Sequence, residues 1–430
     1  MTAESRSSSP ILWGQVCGLA TVQGAIALTW VIYNLYLVEL LTRLGFPQGL
    51  ATGLLVIENL LAMVMEPLMG TFSDQMQHRV GTRFPLVSLG IIAAAACFIL
   101  LPTVLFWGQG PLLRWALPLL LVAWALAMTV FRSPALSLLG RYAFRTQLPQ
   151  AASILTLVGG LAGAMGPLAN QFILGLGPMV AFAIGSGVLL VAMVALRWAG
   201  PNESVATVDQ TAPAAQTAQT VGLSSDPSQS SSRTLPWVSL ALVFGAGVGV
   251  ALGFRLVMGV FPAVIKAQVP DGNLPLIMGA IFITLALTAI PAGALATRLG
   301  NRRAMVAGLA AMAFVAVAAM AIQSMVLGLL LAMLFGGAFS LVSNGTIPFA
   351  LSMVPPDKAG LGTGIYFSGG ALAASLAGAV LGGNAPTLGW GSSVGALAFL
   401  LAGVCVASAG SRGAIAAIAV HSQPEGRDNI

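Results

Sequence analysis

The chain has 430 residues, of which 57% are hydrophobic and only 7% charged. Soluble globular proteins carry about 25% charged residues, so this composition excludes a water-soluble fold and requires most of the outer surface to face lipid. The net charge of +6 comes from basic residues scattered over short loops, with no basic arm or face, which excludes a nucleic-acid-binding surface.

The first ten residues are polar, and the apolar stretch after them is longer than the roughly 7–15 residues of a signal-peptide core, so it reads as a retained first span. Apolar runs near the spanning length of about 20 residues then follow in order. In the first half they cover 12–41, 48–72, 85–107, 112–139, 151–173 and 178–198. In the second half they cover 236–265, 274–296, 304–323, 326–353, 360–383 and 391–409. Segments such as GGLAGAMG at Gly159–Gly166 and GGALAASLAG at Gly369–Gly378 place small residues one turn apart, which lets helix backbones approach closely in lipid.

The predicted fold is therefore an all-α polytopic membrane protein with twelve transmembrane helices in two six-helix pseudo-symmetric bundles. Its expected divisions are a disordered tail over 1–10, a first bundle over 11–199, a disordered cytoplasmic linker over 200–234, a second bundle over 235–410 and a disordered tail over 411–430. The linker is assigned from a run of Ser, Thr, Gln, Ala and Pro that offers almost no apolar surface to bury. With the N-terminus inside, 13 of the 18 basic residues lie in inside segments and three, Arg43, Arg114 and Lys266, lie outside. That bias places both termini in the cytoplasm and the protein in the cell membrane. Cys17, Cys97 and Cys405 sit in apolar runs without pairing or metal spacing, and read as reduced core residues.

The halves repeat. EPLMGTFSDQMQHRVGTRFP at Glu66–Pro85 runs from an apolar helix into a polar loop, and GALATRLGNRR at Gly293–Arg303 is its degenerate copy. A second repeat links SPALSLLGRYAFRTQLPQ from Ser133 with IPFALSMVPPDKAG from Ile347. Parallel six-helix repeats with a midplane site between them are a transporter arrangement.

On these residues the chain resembles the major facilitator superfamily. The second loop, with Gly293, Thr297, Arg298, Gly300, Arg302 and Arg303, fits its general loop signature. The first, with Glu66, Pro67, Met69, Gly70, Asp74, Arg79, Gly81, Arg83 and Pro85, is similar to the glycoside–pentoside–hexuronide cation symporters and related sucrose-type carriers. VELLTRLGFPQGLATGLL and GLGTGIYFSGGALAASLAGAVLGG also resemble the bacteriochlorophyll-delivery branch, whose members are associated with assembly of light-harvesting complexes. The resemblance implies that Asp74, Arg79, Arg83 and their counterparts form gating ion pairs; the alternative is that they anchor topology. It also implies a role for Glu66 in binding a coupling cation, with partners expected at 62 and 132. Those positions hold Ala62 and Arg132. A guanidinium there repels sodium.

Charges inside spans are costly and mark function by default. Glu66 lies eight residues before Asp74, and Arg132 nine before Arg141, so both sit about 12–14 Å from the same membrane face. They are expected to pair, either as a proton-coupling switch or as a permanently ionised structural pair. Glu58 and Arg255 are both near mid-membrane and are expected to face each other across a central cavity, or else to find partners within their own halves. Glu39, close to the end of its helix and to Arg43, reads as a snorkelling surface group. Gln23, Tyr33, Asn34, Tyr36, Asn170, Gln171, Asn344 and Tyr366 are candidates for the cavity wall, or for bonds between helices.

No phosphate loop, metal-ligand spacing or nucleophile set is present in the sequence, so no enzyme activity, metal or cofactor is expected. The expected function is secondary active, proton-coupled transport of a small organic solute by a monomer through alternating access, with a sugar or glycoside as the leading class. The alternatives are pigment delivery or photosynthetic-complex assembly, and efflux of amphiphiles or drugs.

Overall fold

The computed structural model describes residues 11–106, 110, 114–200, 237–270, 272–382 and 387–421, of which 388 and 410–421 are described by backbone alone. The expected tails at 1–10 and beyond 421, and the expected linker up to 236, lie outside the described residues.

Among the described residues, twelve helices are long and apolar enough to cross a membrane. In chain order they are α1 Trp13–Arg43, α2 Gly49–Val80, α3 Phe84–Thr103, α4 Ala116–Tyr142, α5 Leu148–Leu168 and α6 Gly177–Ala199, then α7 Trp237–Gln268, α8 Leu274–Leu299, α9 Asn301–Ala321, α10 Met325–Ser352, α11 Pro356–Leu381 and α12 Gly389–Ala409. Local chemistry sets several ends. Asn273 and Ser324 cap α8 and α10 by accepting the amides of Leu276 and Leu327. Prolines recur inside equivalent helices, at Pro67 and Pro291 in α2 and α8, and at Pro134 and Pro348 in α4 and α10.

The repeated motifs are mostly helical rather than loops, which corrects the sequence expectation. Asp74, His78 and Arg79 all lie on α2, which continues to Val80. The chain then reverses through Gly81 at φ +82°, and its counterpart Gly300 lies at φ +90° directly between α8 and α9. Both need the left-handed region that a Cβ disfavours.

Each half has its own apolar core. The first is built from α1–α6 around Tyr33, Phe98, Trp124, Phe131 and Phe182, and the second from α7–α12 around Phe261, Phe335 and Phe399. Large apolar side chains such as Leu119, Phe172, Val191, Leu287 and Val380 stay exposed on the outside of the bundle, as a lipid-facing surface requires. Three second-half residues, Ile347, Leu351 and Ala359, belong to the first-half core. All three lie toward the end of the molecule that carries Arg83, so the halves are joined apolar to apolar at that end.

Candidate functional site

The junction at the Arg83 end is built from backbone contact and one ionic latch. Along α2 and α11, a Cβ on Gly70 would sit 2.2 Å from the carbonyl oxygen of Gly360, and one on Gly364 would sit 2.5 Å from that of Glu66. Glycine therefore sets the spacing between the two halves. Asp74, 5% exposed, accepts the Gly360 amide at 2.8 Å and the Leu361 amide at 2.9 Å. These are unpaired donors at the start of α11, where a carboxylate is favoured by the helix dipole.

Arg83 completes the latch, donating to Asp74 at 2.5 Å and also to Ser137 on α4. Burial pulls the Arg83 guanidinium below its usual range and the Asp74 carboxylate pulls it back. Ser133 on α4 and Thr363 on α11 add a hydroxyl pair at 3.1 Å. In the second repeat, Arg298 and Arg303 are exposed, and Arg302 donates to the Met353 sulfur at 3.9 Å. Arg79 is exposed as well. Among the described residues, the ion pair at this end is that of Asp74 and Arg83, while Thr297 bonds its own helix at Gly293. Gly293 itself packs on Ser153 and the Pro149 carbonyl of α5.

One α-helical stretch deeper, Glu66 is fully buried and pairs with Arg132. Its Oε1 accepts from Nε at 2.9 Å and from a terminal guanidinium nitrogen. The Arg132 guanidinium also lies 4.8 Å over the ring of Phe367, which belongs to α11 in the other half. The ion pair within the first half therefore reaches across to the second.

Glu58 does not face Arg255. It is 2% exposed and accepts a 2.5 Å hydrogen bond from Tyr33 on α1, within its own half. Tyr33 stacks on Trp124 at 4.4 Å, which locks the ring. The physical reason for the correction is that a buried carboxyl takes the nearest rigid donor rather than reaching across the gap. Arg255 is exposed and has no hydrogen bond or ion pair among the described residues.

A cavity of about 410 Å³ lies between the halves. Its polar groups are Gln23 of α1, Thr156 of α5, Ser343 and Thr346 of α10, and Tyr366 of α11. Its aromatic wall is Phe254, Phe282, Phe339 and Phe367, and none of its lining residues is an acid or a base. One turn beyond it, toward the Arg83 end, Gly140 of α4 meets Leu351 of α10.

Of the residues expected to line this cavity, Gln23 and Tyr366 do. Tyr33 is sealed against Glu58, and Asn34 is exposed and bonds the Trp30 carbonyl. Tyr36 bonds the Ile173 carbonyl, Asn170 the Gln171 amide, and buried Asn344 the Ala289 carbonyl between α10 and α8. Glu39 and Arg43 form an exposed pair one turn apart. The four phenylalanines are not legible in the sequence, because a phenylalanine in an apolar helix carries no distinguishing signal. Among the described residues no cluster of metal-ligating side chains exists, and Cys17, Cys97 and Cys405 are free thiols.

The sequence profile of the family described as MFS/sugar transport protein matches residues 14–400. No curated protein sequence matches the chain. Among solved structures, the human organic anion transporter MFSD10 (TETRAN) is similar with a TM-score of 0.61 at 16% identity, over 92% of this chain and 99% of that one. That likeness is one of fold. With the profile covering nearly the whole of both bundles, this chain belongs to the major facilitator superfamily, in its MFS/sugar transport protein family, and is an integral membrane protein of the secondary-transporter type.

Proposed function

We propose that the chain moves a small organic solute by alternating access, coupled to protons through Glu66 and Arg132. The observation that carries this reading is the position of Arg132, held at once by the buried Glu66 carboxylate and the face of Phe367. Phe367 also lines the central cavity. Protonating Glu66 would remove the counter-charge of Arg132, and the guanidinium would shift against a ring that touches the solute and belongs to the other half. The conformer closed at the Arg83 end would be one of the two access states, with the cavity served from the Arg43 end. The basic-residue bias supports assigning the Arg83 end to the cytoplasm, with both termini there and the protein in the cell membrane. A guanidinium at a cation-ligand position supports a proton rather than sodium, on a scaffold like that of the glycoside–pentoside–hexuronide symporters. The site is complete within one chain, which supports a monomer.

The lining narrows the solute. Each unsatisfied hydroxyl of a buried sugar costs free energy, and the cavity offers five polar side chains beside four phenylalanines. This favours an apolar or aromatic body with one or two hydroxyl groups, such as an aryl glycoside or an amphiphile, over a free sugar. A volume of about 410 Å³ is also small for a chlorophyll-type pigment with its tail. A second reading, an amphiphilic organic anion, is favoured by Arg255, which makes no ion pair among the described residues and follows cavity-lining Ala251 by one turn of α7.

Thermal stability of the purified protein in detergent, with aryl glycosides, free sugars, aromatic anions and tetrapyrroles at two pH values, tests the solute class. The expected result is a rise in Tm with aryl glycosides or aromatic anions and none with free sugars. If only anions act and Arg255→Gln removes their effect, the second reading holds. A shift with free sugars or tetrapyrroles alone contradicts both.

A further inference from the structure

A second, much smaller cavity of about 30 Å³ lies wholly inside the first half, enclosed by α1, α2 and α4. Glu58 and Arg132 both line it, together with Asn59, Thr129, Trp30 and the small side chain of Ala62. The volume suits a single water, and the walls supply the polar partners that a buried water needs. Glu58 is 2% exposed, its Oε1 is taken by Tyr33, and its Oε2 is buried without a partner. Arg132 thus stands between two carboxyls on one face of α2, Glu66 in direct contact and Glu58 across the small cavity.

We propose that Glu58 and Glu66 share one proton and one counter-ion, with Arg132 neutralising whichever of them is ionised and a water in the small cavity linking Glu58 to Arg132. This deepens the coupling reading above and rests on it.

Charge balance carries the inference. Two carboxylates and one guanidinium leave one negative charge, and an uncompensated buried charge is expensive. One bound proton makes the set neutral. Among the described residues no other cation pairs with Glu58 or Glu66. Tyr33 is the titratable group that α1 presents to Glu58, Arg132 the one from α4, and Glu66 the one on its own helix. The α11 helix, packed on α2, has no charged residue over Ala359–Leu381, and its Tyr366 faces the central cavity. Arg255 of α7 makes no ion pair among the described residues.

In the conformer described, Arg132 pairs with ionised Glu66, so the proton sits on Glu58, at the unpartnered Oε2, while Oε1 accepts from Tyr33. Once Arg132 swings off Glu66 and opens the small cavity to it, transfer breaks the Glu58 O–H bond and forms one on Glu66 through the water. Arg132 then crosses the small cavity to the new Glu58 carboxylate and leaves Phe367. The numbers of protons and charges in the set do not change. Exchange with bulk solvent at Glu66, the carboxyl nearer the Arg83 end, would need the conformer open at that end, because Glu66 is fully buried in this one.

Infrared spectroscopy of the protein in lipid nanodiscs at neutral pH reads the protonated carboxyl directly. The expected spectrum of the unmodified protein has a buried carboxylic-acid carbonyl band that is absent in Glu58→Gln. Tyr33→Phe keeps the ring on Trp124, removes only the hydroxyl, and should move the band; this variant decides the matter if Glu58→Gln does not fold. Glu66→Gln should abolish the band too, because Arg132 is then free to hold Glu58 as a carboxylate. A band missing from the unmodified protein, unaffected by both Glu58→Gln and Tyr33→Phe, or persisting in Glu66→Gln, overturns the shared site. Uphill transport retained in Glu66→Gln would instead remove the coupling reading, and is measured separately by flux.

Discussion

Glu66→Gln should abolish gradient-driven solute movement while leaving solute exchange across the membrane intact. The amide keeps the shape of the side chain, so helix packing between α2 and α4 survives. What it loses is the charge that can be switched off. Glu66 is fully buried, whereas Arg132 is 22% exposed, so the guanidinium has water available when its partner is neutral. This makes the cost smaller than the roughly 3–5 kcal/mol of breaking a fully buried pair. The expected readout is flux in proteoliposomes that ceases to respond to an imposed pH difference, with unlabelled-for-labelled exchange within about tenfold of the unmodified protein. Uphill movement retained in this variant would show that the pair is a fixed structural strut.

Gly364→Ala should have an effect of similar size for a wholly different reason. Its new Cβ would lie 2.5 Å from the Glu66 carbonyl oxygen and 2.9 Å from both its carbonyl carbon and Pro67 Cα, all main-chain atoms that cannot rotate away. Closure at the Arg83 end then requires α11 to withdraw from α2, which also stretches the Asp74 bonds to Gly360 and Leu361. Overpacking of this kind costs about 1–3 kcal/mol, or about a 5–150-fold loss of the closed conformer. Spin labels at the exposed positions Arg79 and Arg303 would report it as a shift of the inter-half distance distribution toward longer values. Gly337→Ala is the matched control, because a Cβ there meets nothing within 4 Å. An unaltered distribution in Gly364→Ala would mean that α2 and α11 do not set the closed state.

The spans are legible in the sequence because an apolar run of spanning length has few alternatives: α8 is expected at 274–296 and found at Leu274–Leu299. The inner end of α2 is harder to read. Residues 75–80 are mostly exposed and polar, and so look like a loop, whereas Ser73 and Asp74 are buried toward the other half. Hydropathy averages over both faces and misses this. The meeting of Glu66 with Arg132 follows from the rarity of charges in apolar helices and their matched depth. The partner of Glu58 does not follow, because depth alone cannot separate Tyr33 in the same half from Arg255 in the other. The cavity wall is least legible of all. Phe254, Phe282, Phe339 and Phe367 are set apart from the other phenylalanines only by the direction in which they point, which the packing of two bundles decides.

The most direct test is proton-driven flux in the unmodified protein. Proteoliposomes would carry an imposed pH gradient, with movement of the ligand identified by the stability screen followed over time. Solute moving against its own gradient, and stopping when a proton ionophore collapses the pH difference, is the predicted result. Solute that merely equilibrates, at the same rate with or without the pH gradient, would contradict proton-coupled transport through Glu66 and Arg132.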